Sequence, residues 1–342
     1  LVFGVATVVA IYVLVKKIFG NTYTALIAAA LVALNPFQIQ YVTEARMYTM
    51  GAFFVVLTAY LLLLALNATR DYYKPTGLTV KPSFKKMLGY YIAFTISASI
   101  LTYTHYYLLF SVAGLGLYGI FHLWKIFRWQ ISRYLWLMLS GAGIGILFLP
   151  WLKIFLFQFK QVGNGYWIPP IDRWSIPNTL YDLFIHIDGA SKLVIALITV
   201  LAIWIIWRVI KSYQQTEKWL ILGMFLAPFL GSILFAILAK IKGENSSVFL
   251  VRYFLFASPF LLALTALWLQ QIKIRGIKQL LLILLVLLNL YGTWKYWHDL
   301  NVDKKTGIAG LSRLLNANVQ KDHKIFVASS FEFFNYKYYN HT

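Results

Sequence analysis

The stretch 35–46, NPFQIQYVTEAR, decides how this chain is read. It is a polar island between two apolar runs, TYTALIAAALVAL before it and MYTMGAFFVVLTAYLLLLAL after it. Proline has no donor N–H and disfavours helix in the residue before it, so Asn35-Pro36 ends the first run. Glu44 and Arg46 then stand at the mouth of a new apolar helix. Ionisable groups beside a hydrocarbon layer are costly, which makes the pair a candidate site. The competing account is structural: a Glu in a first helical turn favours the positive dipole end, and Arg46 extends its head to the interface.

Composition sets the class. The 342 residues are 60% hydrophobic and 12% charged, against about 25% charged in an ordinary soluble domain. That leaves too little polar surface to cover a soluble ball, so an integral membrane protein is expected. The chain has no cysteine, which excludes disulfides, thiolate metal sites and a Cys nucleophile. Its net charge of +20 reads as membrane topology, and no nucleic-acid signature accompanies it. The opening LVFGVATVVAIYVLV has no initiator Met, basic leader or small-residue cleavage pattern. The chain is therefore expected to be a piece of a longer protein, truncated at both ends.

Runs that suit the roughly 17 to 25 residues of a transmembrane helix fall at about 1–19, 22–36, 47–66, 88–103, 106–124, 134–157, 191–210, 218–240, 252–270 and 277–297. The break Thr102-Tyr103-Thr104-His105 favours two short spans over one long kinked element in 88–124. Ten spans sort the loops into two sets. Loops 16–21, 67–87, 125–133, 208–218 and 271–278 carry 16 basic residues in 55 positions; loops 35–46, 104–107, 153–192 and 240–252 carry 8 in 69. The excess of Lys and Arg assigns the first set to the cytoplasm. Nine of the eleven acids fall on the other side, so a reaction site is expected to face outside the cytoplasm, in a multi-pass protein of the cell membrane.

Within the long outer loop, Tyr166-Trp167-Ile-Pro-Pro170 is an aromatic segment stiffened by two prolines. An amphipathic helix over 178–188 follows, with Leu180, Leu183, Phe184 and Ile187 on one face and Asp182 and His186 on the other, suited to lying in the interface plane. Asp182 and His186 at i, i+4 read either as an acid–base or metal pair or as a solvated face. After 298 the composition changes. Gly307–Val319 reads as helix, Ile325–Ser330 (IFVASS) as strand and Phe331–Tyr339 as helix. The reading is thus an all-α polytopic bundle over 1–298, then the incomplete start of a small extracytoplasmic α/β domain over 299–342.

Four outer elements can carry chemistry: Glu44-Ala-Arg46-Met-Tyr48, Thr104-His105-Tyr106-Tyr107, Trp167-Ile-Pro-Pro170 and Arg252-Tyr253. A guanidinium offers phosphate oxygens a planar fork of donors, so Arg252 suits a phosphate; the bland account is interfacial anchoring beside Tyr253. His105 can orient a carboxylate or a hydroxyl, or it is an interfacial side chain satisfied by water. Tyrosine and tryptophan are ambiguous, because aromatic belts line both interfaces.

The segment NPFQIQYVTEARMYTM, with its Glu44-Ala-Arg46-Met-Tyr48 block, resembles the membrane glycosyltransferases of the GT-C class. The similarity points to the bacterial branch related to dolichyl-phosphate-mannose protein mannosyltransferases and to the aminoarabinose transferase of lipid A. The preceding LVFGVATVVAIYVLVKKIFGNTYTALIAAALVALNP, then THYYLLFSVAG, WIPP and RYFLFASPFLLAL, resemble further blocks of that family in the same order. The resemblance implies inverting transfer of a sugar from a polyprenyl-phosphate donor to a hydroxyl on a protein, lipid or glycan acceptor, outside the cytoplasm. It implies donor or lipid-phosphate contacts for Glu44, Arg46, Tyr48, His105, Tyr106, Trp167, Arg252 and Tyr253. It also implies a carboxylate general base in a first outer loop, expected upstream of Leu1 and absent here, which leaves this piece alone inactive. No cofactor is implied and no metal cluster is evident. A lipid or sugar transporter or flippase is the rival reading, although no inverted repeat of broken helices supports it; a non-catalytic envelope-assembly protein is another.

Overall fold

A computed structural model of the chain describes residues 1–44, 46–74, 83–163, 168–187, 189–243, 247–302 and 308–318. Among them every regular element is helical and no strand occurs. The helices are α1 (Val2–Phe19), α2 (Thr22–Leu34), α3 (Pro36–Thr43), α4 (Tyr48–Tyr73), α5 (Phe84–Thr104), α6 (Leu108–Phe127), α7 (Leu135–Gly163), α8 (Ser175–Phe184), α9 (Lys192–Ser212), α10 (Lys218–Ile241), α11 (Ser258–Gln271), α12 (Arg275–Val302) and α13 (Ile308–Asn318). Short 3-10 helices at Ile131–Tyr134 and Val251–Phe256 lead into α7 and α11. Seven of the helices are long and apolar enough to cross a membrane, or eight if the bent pair α2 and α3 is one span. The chain is an all-α multi-pass membrane protein.

That count corrects the expected ten. The break at 105–107 does separate two helices, but α5 carries Tyr, Thr and Ser along its length and is not among the seven. The expected span 252–270 is two pieces, the 3-10 helix and the 14-residue α11. Every residue of α11 from Ser258 to Leu269 is buried, so protein and not lipid surrounds it. The expected α/β unit also finds no support. Its first helix is present as α13, while the segments 325–330 and 331–339 lie outside the described residues.

The chain divides into two compact units, Leu1–Thr293 and Trp294–Thr342. In the second, the described residues are the end of α12, where Trp294 stacks on His298 at 5.0 Å, and α13. In the first, α4 packs against α1, α5, α6 and the 3-10 helix Val251–Phe256, and α11 packs against α2, α9 and α10.

The two loop sets meet at opposite helix ends. At one end the Lys74 ammonium donates to the Ile126 carbonyl at 2.6 Å, Arg133 lies 3.9 Å over the Tyr73 ring, and Phe19 meets Tyr213 edge-on at 5.2 Å. At the other end the chain after α2 meets α8, α11 and α12. Here α2 and α3 are bent by 53° at Asn35. Asparagine is a good N-cap and proline fits the first helical position. Asn35 Oδ1 accepts from the Gln38 N–H at 3.1 Å, and Pro36 opens α3. The Asn35 amide is fully buried. It donates to the Leu183 carbonyl at 3.0 Å, at the end of α8, and approaches Asn289 Oδ1 on α12 at 3.4 Å. Gln38 continues the network by donating to Ser258 Oγ at 2.6 Å, at the start of α11. Close approach of α12 needs Gly292, where an added Cβ would lie 2.6 Å from the Pro36 ring and 2.8 Å from the Ile185 carbonyl.

Replacing Asn35 by Leu removes a helix cap and strands buried carbonyls, a loss of roughly 2–4 kcal/mol. Asn35→Asp restores the cap acceptor but turns an oxygen towards the Leu183 carbonyl, so it is expected to destabilise as well. Thermal unfolding in detergent reads both, and wild-type melting in either variant would contradict this role for the amide.

Candidate functional site

Glu44 is the C-cap of α3, with extended backbone (φ −81°, ψ 132°). It does not lie in the first turn of α4, which begins at Tyr48 and holds no acid there. A carboxylate at the negative end of a helix gains nothing from the dipole, so the dipole account of Glu44 fails. Arg46 Nε lies 3.8 Å from Glu44 Oε2, with the side chains 53% and 33% exposed. An exposed pair of this length contributes about 0–1 kcal/mol, so stability alone does not explain it. Glu44 Oε2 is itself buried and accepts no hydrogen bond among the described residues.

Four chain segments converge beside this pair. Tyr48 opens α4 and is buried. Its ring centroid lies 5.4 Å from Tyr41 on α3, 6.0 Å from His105 and 6.4 Å from Tyr253. The His105 and Tyr253 rings are 4.7 Å apart, and Tyr107 lies 5.3 Å from Tyr253. Tyr41 is within electrostatic reach of Glu44, Arg252 and Asp182. The structure therefore brings the rings of Tyr48, His105 and Tyr253 together, with Glu44 and Arg252 within electrostatic reach of the adjoining Tyr41 and Arg46 beside Glu44, from the end of α3, the start of α4, the α5–α6 link and the 3-10 helix Val251–Phe256. Arg252, half-buried in the 3-10 helix Val251–Phe256, forms no ion pair with a described carboxylate.

Tyr106 turns away from this cluster. Its hydroxyl donates to Gln158 Oε1 at 2.6 Å and accepts from the Trp151 indole at 2.8 Å, both on α7. It still lines, with His105, Tyr107, Phe155, Gln158 and Tyr253, a cavity of about 410 Å³. A second hollow of about 750 Å³ between α4, α5 and α7 begins at Met47 and Tyr103. Trp167 lies outside the described residues.

The expected amphipathic helix over 178–188 is shifted, and its apolar face packs on protein. The helix α8 starts at Ser175 and ends at Phe184, and Leu180, Leu183 and Phe184 are buried against neighbouring helices. Ile187 lies past its end, and His186 adopts a positive φ of 49°. Asp182 and His186 nonetheless pair, Nδ1 to Oδ1 at 3.3 Å. No group of three or more His, Asp or Glu able to hold a metal ion occurs among the described residues.

Sequence reasoning missed Tyr41, Gln40 and Gln158. The first two sit on α3, and Asn35-Pro36 is as good a helix start as it is a stop. Gln158 has no sequence signal, since it lies on an apolar helix whose facing is set by packing. Comparison with protein-family models, curated proteins and solved structures finds no match.

His105 sits in the link between α5 and α6. Its Nδ1 accepts from the Tyr107 N–H at 3.1 Å, which leaves the proton of the neutral ring on Nε2. Burial pushes its pKa from the ordinary 6.5 down to about 4. Between those values the unfolded chain binds a proton that the folded chain excludes. Stability from this group is therefore full above pH 6.5 and falls as pH drops towards 4. Imidazole NMR should show His105 neutral at pH 5.5, and His105→Gln should flatten the acid side of the melting curve against pH. A ring that titrates near 6.5 would contradict this environment.

Proposed function

We propose that this chain is the membrane part of a glycosyltransferase that moves a sugar from a polyprenyl-phosphate donor to a hydroxyl acceptor on the extracytoplasmic face. The observation that supports the reading is an aromatic cluster whose members Tyr48 and Tyr253 each stand within two residues in sequence of an arginine, Arg46 and Arg252, at the end of the bundle away from the basic loops. Arg46 arrives with Tyr48, and Arg252, without a carboxylate partner among the described residues, arrives with Tyr253. A lipid phosphate is a leaving group that gains charge as its bond to the sugar breaks. Cations fixed at the membrane edge stabilise that charge more in the transition state than in the bound donor. A sugar presents C–H faces to aromatic rings and hydroxyls to groups such as Glu44 Oε2, which accepts no hydrogen bond among the described residues. The cavity beside His105 and Tyr253 is walled by Phe155, Phe159 and Phe235, an apolar lining that suits the isoprenoid.

In the complete protein, Arg46→Ala and Arg252→Ala are each expected to lower transfer from a radiolabelled lipid-linked sugar by about a hundredfold or more, with expression unchanged. Full activity in both variants would remove the assignment. The same assay separates the rivals, because a flippase moves the lipid without cleaving it and an assembly protein does neither.

A further inference from the structure

The basic end of the bundle carries a hollow that the transfer reading does not use. A groove of about 880 Å³ runs between α6 and α7, over Phe94 of α5. Both walls are helices long and apolar enough to cross a membrane. The α6 wall extends from Val112 to Trp124, about 18 Å at a rise of about 1.5 Å per residue. One leaflet of the hydrocarbon core is about 15 Å deep. The groove thus has the length of one leaflet, the one on the side of the basic loops. Leu117, Ile120 and Met138 on its rim are exposed, so it opens sideways to lipid.

The mouth of the groove has different chemistry. Arg128, Trp129 and Tyr134 form its end. Arg128 caps α6 with a positive φ of 53°, a backbone state uncommon in any residue but glycine. Two bonds hold it there. Its N–H donates to the Trp124 carbonyl at 2.9 Å, and the Tyr134 hydroxyl donates to the Arg128 carbonyl at 2.6 Å. The guanidinium lies 5.0 Å over the Trp124 ring. Backbone therefore closes the helix end, and the side chain keeps N–H donors to offer, with no ion pair to a described carboxylate.

The charges nearest this mouth have one sign. Lys125 stands on the preceding turn of α6, and Arg133 follows in the 3-10 helix Ile131–Tyr134. Asp71 on α4 is engaged by Arg70 at 2.8 Å. Glu217 precedes α10, which meets α6 along a separate groove. A phosphate finds donors here, whereas the ammonium of a zwitterionic headgroup would meet cations. Trp129 and Tyr134 suit the headgroup level, where aromatic rings with a polar edge collect.

We propose that this groove binds an anionic glycerophospholipid of that leaflet, with an acyl chain between α6 and α7 and the phosphate at Arg128. The site does not rest on the transfer reading. Gly116 and Gly141 line the groove, and an added Cβ at either meets nothing within 4 Å. A larger side chain there fills the space meant for the acyl chain without displacing a helix.

The test is native mass spectrometry of the purified protein, stripped of lipid in detergent and titrated with phosphatidylglycerol, phosphatidylethanolamine or phosphatidylcholine of identical chains. Phosphatidylglycerol should be retained most tightly. Arg128→Gln should weaken it by about fivefold, the effect of one cation at a membrane surface, and should narrow the gap to phosphatidylcholine. Gly116→Leu and Gly141→Leu should each abolish the tight site for phosphatidylglycerol, while the lipid-free protein melts like the wild type. Lys211→Gln, at the exposed end of α9, should change nothing. Equal retention of the three lipids would overturn the proposal. So would a loss in Lys211→Gln that matches Arg128→Gln, since general attraction to a basic surface would then suffice. Undiminished phosphatidylglycerol binding in both glycine variants would place the lipid elsewhere. A lipid-free dimer that Gly141→Leu breaks would make the occupant a second copy of the chain, and the lipid site would fall.

Discussion

A helix broken inside an apolar environment exposes backbone groups that no water can satisfy, and this chain breaks one at Asn35. Each unsatisfied group costs several kcal/mol in hydrocarbon, so irregular backbone there survives only where protein supplies the partners. The Asn35 side chain supplies them in two directions, as cap acceptor for α3 and as donor to the α8 carbonyls. Its neighbours Gln38 and Asn289 extend the network to α11 and α12. The 53° bend that results sends α3 off the axis of α2. That change of direction carries Gln40, Tyr41 and Glu44 to the other outer segments. The site groups on α3 and at its end, Gln40, Tyr41 and Glu44, depend on this one side chain for their direction.

Charge and aromatic surface are used together at the site. Exposed ion pairs contribute little to stability, and the Glu44–Arg46 pair is long and open. Arginine is more weakly hydrated than lysine and stacks on aromatic faces, so it is the cation that suits a half-buried aromatic setting. Arg252 stands in such a setting next to Tyr253, whose ring touches those of His105 and Tyr107. A neutral His105 matters here, since a charged imidazole in the same cluster would compete with the arginines for an anion. Burial extends its neutral range from the ordinary 6.5 down towards about 4.

Much of the architecture is legible in the sequence, for reasons that differ by element. The split of basic and acidic loops survives because it follows chain alternation, and the loops of each set do meet their own members. The break at 105–107 is legible because polar side chains interrupt an apolar run. Span counting fails at α11, because an apolar run over 252–270 does not show that its first residues form a 3-10 helix and leave an α-helix of only 14 residues. The α8 boundaries fail because Ile187 matches the helical period while His186 leaves the helical backbone. At the site, Glu44, Arg46, Tyr48, Arg252 and Tyr253 are legible from charge at helix mouths. Tyr41 and Gln40 are hidden by reading α3 as loop, and Gln158 by lying on an apolar helix. The convergence of Asp182 and His186 with Gln40 depends on long-range packing that no local pattern encodes.

The concealment of α11 bears on how the protein is made. A segment of 14 residues is too short to span the hydrocarbon unaided, and with its sides covered by protein it has no stripe of its own to hold in lipid. Its stable place in the membrane exists only after its partners are there. Those partners are α2, α9 and α10, and all three precede it in the chain. Synthesis from the N-terminus thus delivers a prepared cleft before the helix that fills it. A rearranged order of the same helices would leave α11 waiting in the insertion machinery for a home not yet built.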